Sequence, residues 1–219
     1  MSLRTALAVG LAGLGLTAFT GVANADFTLS SGTLRLQDGS TTGTPPSSGS
    51  WVKLPTDDGT SYFDNAASTG ASGEYTPING SRSTGLQLGR AQPAGGIFGP
   101  LTAFGATRLT AADFDGLTVT GSTPRFTFTG DADDVVRRTL TAGDLSGLRI
   151  SYPGGPYDVS TTEDGNLVRF PKHTAALTGS ITGDATDRAT ITLDWTSDLT
   201  EPGFSGFRAQ FHWVGTYTP

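Results

Sequence analysis

Apolar and polar residues alternate with period two in two long runs near the end of the chain, residues 191–196 and 207–213. Successive side chains of a strand point to opposite faces, so this alternation predicts two strands, each buried on one face and wet on the other. The connection between them contains Pro202-Gly203 and is too long for a two-residue turn. We therefore expect a wide loop between neighbouring strands.

The two predicted strands place seven apolar side chains on one buried face. Most of these side chains are large, and burying one large apolar side chain contributes about 1.5–3 kcal/mol. We expect this pair of strands to form the centre of the core. The seven residues are Ile191, Leu193, Trp195, Phe207, Ala209, Phe211 and Trp213.

Shorter β-type runs, separated by Gly, Thr and Ser, recur along the rest of the chain. Glycine accounts for 31 of the 219 residues, which is well above ordinary usage. The pattern predicts an all-β fold, a single antiparallel β-sandwich or barrel-like domain with long Gly/Ser/Thr/Pro loops. The further predicted strands are residues 27–36, 51–54, 60–63, 85–88, 106–109, 117–120, 125–129, 135–140, 148–152, 167–170 and 176–181.

Two segments, 37–50 and 65–82, interrupt this rhythm because they contain almost no large apolar side chains. Tyr75 and Ile78 are the only anchors in the second segment. We interpret both segments as exposed loops or flexible linkers.

Residues 109–119 and 140–150 form a weak internal repeat with a shift of 31 residues (140 − 109). In each unit a Thr precedes an Asp by three residues, at Thr110 and Asp113 and at Thr141 and Asp144, which predicts one helical turn. We interpret the repeat as one turn used twice in a β fold, rather than as a duplicated ligand loop.

The N-terminal segment 1–25 has the organisation of a secretory signal peptide. Arg4 supplies a positive start, residues 6–20 are uncharged and largely apolar, and Ala23-Asn24-Ala25 is a small-x-small cleavage site. A transmembrane anchor is disfavoured because the apolar stretch is short and broken by glycines. We predict a secreted protein, extracellular or at the cell surface, whose single β-rich domain spans residues 26–219.

Charge argues against nucleic acid as a partner. Removing Arg4 with the signal peptide leaves 13 basic and 20 acidic residues, a net charge of −7 (13 − 20). A phosphate-binding surface needs clustered Lys and Arg, whereas this chain has one such pair, Arg137-Arg138, just after Asp133-Asp134.

Few residues are available for catalysis or metal binding. The chain has no cysteine and two histidines, His173 and His212, too few for the usual three-ligand catalytic zinc site. The sequence around Ser205 lacks the second glycine of a nucleophile elbow. We assign no catalytic, cofactor-binding or metal residue, and expect His212 to be exposed on the polar face of its strand.

Three acidic loops leave weak calcium binding open, although solvated turns are the preferred interpretation. The first loop fails as an EF-hand because Ala111 and Ser122 stand where ligands are required. The three loops are residues 113–116, 131–134 and 184–187.

Aromatic side chains that stack on sugars when exposed are present, but we expect Trp195 and Trp213 to pack in the core. Carboxylate pairs for glycoside cleavage meet only in three dimensions and leave no local signal. The remaining aromatic candidates are Trp51, Tyr62, Tyr75, Tyr152 and Tyr157.

The closing segments 193–197, 204–207 and 212–216 resemble the C-terminal end of secreted, Gly/Thr-rich bacterial proteins of uncharacterised function. The resemblance implies a bacterial exported β protein and carries over no site residue.

We therefore expect a non-catalytic protein that acts outside the cell by surface interaction or assembly, with itself or with cell-surface components as partners. A carbohydrate-binding module is the alternative, and a carboxylate-dependent glycoside hydrolase ranks third. Self-association is suggested by residues 26–29, which alternate like a strand at the new N-terminus. Such a terminal strand can pair with its own sheet or with the sheet of a neighbouring molecule.

Overall fold

The computed structural model describes residues 26–53, 75–82, 84–90, 92, 97, 101–103, 107–114, 125–133, 135–143, 145, 148–151, 167–170, 177–198 and 208–219. The predicted signal peptide 1–25 and the predicted strands 60–63 and 117–120 lie outside these residues.

Strands make up most of the described residues and helix is almost absent from them, which confirms the predicted all-β class. A 3-10 helix at Gly80–Arg82 is the only helix among them, and no helix in this part of the chain is long and apolar enough to cross a membrane. The strands are β1 (Asp26–Leu29), β2 (Thr33–Leu36), β3 (Trp51–Lys53), β4 (Thr76–Pro77), β5 (Leu86–Gln87), β6 (Leu101–Ala103), β7 (Thr107–Phe114), β8 (Phe126–Thr129), β9 (Arg138–Gly143), β10 (Leu148–Ser151), β11 (Leu167–Phe170), β12 (Thr178–Asp184), β13 (Arg188–Asp198) and β14 (Arg208–Thr218).

The predicted closing pair is the centre of the sheet. β13 and β14 pair antiparallel in unbroken register from Ala189 opposite Tyr217 to Asp198 opposite Arg208. Six of the seven side chains assigned to one buried face are buried, and the seventh, Phe207, lies outside the described residues. The Trp195 ring stacks on Phe211 at 4.5 Å and meets Trp213 edge-on at 4.7 Å, so the two strands share one aromatic cluster.

Ten strands form one curled, antiparallel sheet. Its main path runs β1-β8-β9-β12-β13-β14-β2-β5, and β3 also pairs with β14, with β4 outside it. The long β14 therefore takes two short strands along one edge, β2 near its end and β3 near its start. A second sheet of four strands has the order β11-β10-β7-β6.

The predicted single strand 27–36 is wrong in one respect, because the structure divides it into β1 and β2. Gly32 adopts a φ of 93° between them, a left-handed conformation that breaks the extended backbone. The two halves then pair far apart on the main path, β1 with β8 at one end and β2 between β14 and β5 near the other. Three linking residues span at most about 14 Å from Leu29 to Thr33, so the sheet has to curl until its ends approach each other.

Segment 37–50 is a loop, as predicted, but it is not a flexible linker. Gly39 N donates to Ile78 O at 2.9 Å, and Ser40 N donates to Ser48 O at 2.8 Å. Ser50 N closes the loop on Gln37 O at 3.2 Å. Ser50 and Ile78 are buried, so the loop is tied to the sheet by partners that its own composition does not reveal.

The helical turns predicted in the repeat are absent from the described residues. Thr110 and Asp113 lie inside β7, and Thr141 lies inside β9, while Asp144 is outside the described part. Pairing of β7 with β10 and of β9 with β8 supplies partners for the backbone, so these strands continue where a local cap was expected.

The other predicted strands within the described residues are present, with ends that differ by a few positions. The sequence did not predict β4 or β6, which have two and three residues. Strands this short carry no readable periodicity, and only their pairing with β3 and β7 defines them.

Candidate functional site

His212 occupies the outer, polar face of β14, as predicted, but its ring is enclosed rather than exposed. Its Nδ1 lies 2.6 Å from Asp194 Oδ1 on β13, and the imidazole side chain is only 25% exposed. The ring stacks on Trp51 of β3, with centroids 5.4 Å apart, and Tyr75 meets Trp51 edge-on at 4.9 Å. These side chains link β13, β14, β3 and the start of β4.

This arrangement orients an imidazole without supplying a nucleophile beside it. The side chains next to His212 on the outer face of β14 are Gln210 and Val214, and its cross-strand partners are Asp194 and Trp51. None of these carries a hydroxyl or a thiol. The other residues considered for hydrolysis, His173 and Ser205, lie outside the described residues.

The aromatic side chains are used mainly for packing. Trp195 and Trp213 are buried in the core, which confirms their predicted position. Trp51 and Tyr75 are half-buried, and no aromatic ring whose side chain is described is exposed. Tyr62, Tyr152 and Tyr157 lie outside the described part. The described surface therefore offers no coplanar pair of exposed rings for sugar stacking.

Two of the three acidic loops meet in space, which the sequence did not indicate. Ala185 N donates to Ala132 O at 2.9 Å, joining the loop after β8 to the β12–β13 turn. Arg138 stabilises both loops, because its buried guanidinium donates to Asp131 O in one and to Gly183 O beside the other. The same group lies over the Phe27 ring, 5.0 Å from its centroid.

Within the described residues, no group of three or more His, Cys, Asp or Glu is placed to hold a metal ion. The carboxylate of Asp184 is engaged instead by Thr186, whose hydroxyl and amide donate to Oδ1 at 2.6 and 2.7 Å. These two bonds, the hydroxyl first, hold the pKa of Asp184 below its usual range. Of the third loop, Asp113 lies in β7 and residues 115–116 are outside the described part.

β1 is the end strand of the ten-stranded sheet and is bound on one side by β8. The register runs from Asp26 opposite Thr129 to Leu29 opposite Phe126, and no described strand pairs with the other edge of β1. Phe27 stacks on Phe128 at 5.8 Å, and Leu29 is 5% exposed, so β1 also completes part of the core.

The link from β1 to β2, residues 30–32, is held down at two points. Tyr217 OH donates to Ser31 O at 3.0 Å, and Leu88 N donates to Gly32 O at 2.9 Å. Burial raises the pKa of the Tyr217 phenol, which keeps it in the protonated, donating form. A Cβ on Gly32 would approach Thr218 O to 2.5 Å, so only glycine fits this tight link.

Comparison of the chain with protein-family models, curated proteins and solved structures finds no match. The functional assignment therefore rests on the residues and contacts described above.

Proposed function

We propose that this chain is a secreted, non-catalytic β protein that acts outside the cell by assembling with copies of itself, through exchange of its N-terminal strand β1. The observation that carries the proposal is the place of β1. It fills one end of the sheet while a hinge of three residues, 30–32, connects it to β2, the strand next to the opposite end.

Exchange conserves nearly all of the contacts of β1. In an exchanged dimer, Phe27 would stack on Phe128 of the second copy, Leu29 would fill the same core position, and the four backbone pairs would re-form. Only the hinge changes conformation, and short hinges held in an unusual conformation favour exchange. Unlike addition of a strand to a bare edge, exchange leaves each sheet complete.

The predicted signal peptide adds a second argument. Cleavage after Ala25 would make Asp26, the first residue of β1, the start of the mature chain. A strand at a free terminus can leave one sheet and enter another without threading a loop. Terminal strands are also the segments that most readily detach from a fold.

A cross-strand disulfide tests this proposal without removing β1. Thr28 and Thr127 are directly opposite each other, with their hydroxyls 2.9 Å apart, and the chain has no natural cysteine. Thr28→Cys/Thr127→Cys in residues 26–219 should give a disulfide within one chain in monomers and between two chains in exchanged dimers. The measurement is non-reducing electrophoresis after oxidation across a concentration series.

We expect covalent dimers of the double variant that increase with protein concentration, and few from Thr28→Cys alone. Light scattering of the unaltered residues 26–219 and of a form lacking residues 26–31 accompanies the experiment. Loss of assembly in the shortened form, with its fold checked by circular dichroism, supports exchange. Monomers at every concentration, with only intrachain disulfide, would exclude it.

A further inference from the structure

A polar groove of about 620 Å³ lies on the outer face of the sheet where β13, β14 and β2 run side by side. Its volume is within the range of sites that hold small ligands. Hydroxyl, amide and charged side chains dominate its lining, and it contains no aromatic ring. The lining residues are Thr33, Arg35, Leu36, Gln37, Asp38, Ser81, Arg188, Thr216 and Thr218.

The strand register explains why these side chains converge. Arg35 is opposite Thr216 and Thr33 is opposite Thr218, while Leu34, Leu36 and Tyr217 point to the buried side. Arg188 begins β13, one residue before Ala189 pairs with Tyr217, so it stands beside Thr218 on the outer face. With strands about 4.8 Å apart, the Arg35 and Arg188 Cα atoms are about 12 Å apart across β14.

The two guanidinium groups keep their donors available. Neither Arg35 nor Arg188 has a hydrogen-bond or ion-pair partner among the described residues, whereas Arg208 on the same face of β14 is paired with Asp198 at 3.2 Å. Two carboxylates lie nearby, one of them in the groove lining, and both accept hydrogen bonds. Asp38 Oδ1 accepts from Ser81 N at 2.7 Å, and Asp184, opposite Arg188, accepts from Thr186.

We propose that this groove binds an acidic oligosaccharide. Arg35 and Arg188 hold carboxylate or sulfate groups through charge-assisted hydrogen bonds, and the hydroxyls of Thr33, Thr216 and Thr218 meet hydroxyls of the sugar. Their spacing suits an elongated ligand with more than one anionic group.

Two other ligand classes fit less well. A neutral glycan would have no ring to stack on, and an apolar peptide would have to cover the charged Arg35 and Arg188 side chains. The proposed site is independent of β1 exchange, because the groove contains no residue of β1 or its hinge.

The test is isothermal titration of residues 26–219 with three probes. A galacturonic acid tetramer carries carboxylates, a heparin-derived tetrasaccharide also carries sulfates, and maltotetraose is the neutral control. We expect one or both acidic probes to bind, with an affinity that falls as salt is added, and no binding of maltotetraose. Preference between the acidic probes identifies carboxylate or sulfate as the recognised group.

Arg35→Gln and Arg188→Gln should each weaken binding about tenfold or more, because each removes a charge-assisted bond. Arg208→Gln is the matched control, since it makes the same charge change on the same face outside the groove and at an exposed side chain. Its affinity should equal that of the unaltered protein. Equal losses in all three variants, equal binding of maltotetraose, or no binding of either acidic probe would overturn the proposal.

Discussion

Ser50 bonds to β14 at a position where neither β2 nor β3 pairs with that strand. It lies where β2 has left β14 and β3 has not yet begun, and it is fully buried. Its hydroxyl accepts from Val214 N at 2.9 Å, as a backbone carbonyl of a paired strand would. It also donates to Val214 O at 2.8 Å, to which Gln37 N donates as well. A side chain in a Ser-rich loop therefore has a role that is usually filled by backbone groups.

Ser50→Ala should lower the free energy of unfolding by about 1–3 kcal/mol, because it leaves the half-buried Val214 amide without its partner. Ser48→Ala, in the exposed part of the same loop, should change it by less than about 0.5 kcal/mol. Urea unfolding of residues 26–219 measures both values. Equal effects of the two substitutions would show that the Ser50 hydroxyl does not bridge the edge.

At the scale of elements, the turn between β12 and β13 is stabilised by its own polar groups. Asp184 accepts two hydrogen bonds from Thr186, and Asp187 N donates to Asp184 O at 3.3 Å. The ionised carboxylate is the better acceptor, which is why these bonds lower the pKa of Asp184, with a smaller contribution from Arg138. The turn that β12 and β13 need is thus encoded within four residues.

Because the pKa of Asp184 is lower in the folded chain than in the unfolded chain, its contribution to stability is present at neutral pH. That contribution is lost as the pH falls below about 4 through the folded-state pKa. The difference in unfolding free energy between the unaltered protein and Asp184→Asn should therefore narrow between pH 7 and pH 2.5, as measured by urea unfolding. Asp187→Asn removes a carboxylate from the same turn and serves as the matched control. A gap for Asp184→Asn that stays constant with pH would contradict this explanation.

At the scale of the whole molecule, the short link between β1 and β2 determines the shape. The first and seventh strands of an eight-strand path are joined by three residues, so the curl of the sheet places the N-terminal strand near β2. Any segment that stays attached before Asp26 would extend from β1, the end strand. Such a segment would hinder the exchange of β1 between copies.

If the proposed signal peptide is cleaved after Ala25, the mature chain should begin at Asp26. Ala23 and Ala25 provide the small side chains that signal peptidase recognises. Intact-mass analysis of the exported protein measures the start directly. Retention of residues 1–25 would contradict the predicted export and place extra chain before β1.

The sequence by itself determined the strand class and the centre of the core. The alternation in β13 and β14 is a local property, and it fixes which side chains face inward wherever the strands end up, so Trp195, Phe211 and Trp213 could be assigned to the core. Their pairing followed because the two runs are adjacent along the chain and share one apolar face.

Only the tertiary structure decided where the other strands pair and which polar side chains meet. Residues 27–36 have the pattern of one strand, yet their halves lie in different parts of the sheet. Their partners, β8 and β14, cannot be identified from a local pattern. The order in loop 37–50 depends on Val214 and Ile78, and the proposed groove depends on Arg35 and Arg188 meeting across β14. Period two shows only that a polar residue faces outward. Which polar residues become neighbours depends on the register between strands that are distant in sequence, so the sequence pattern does not predict it.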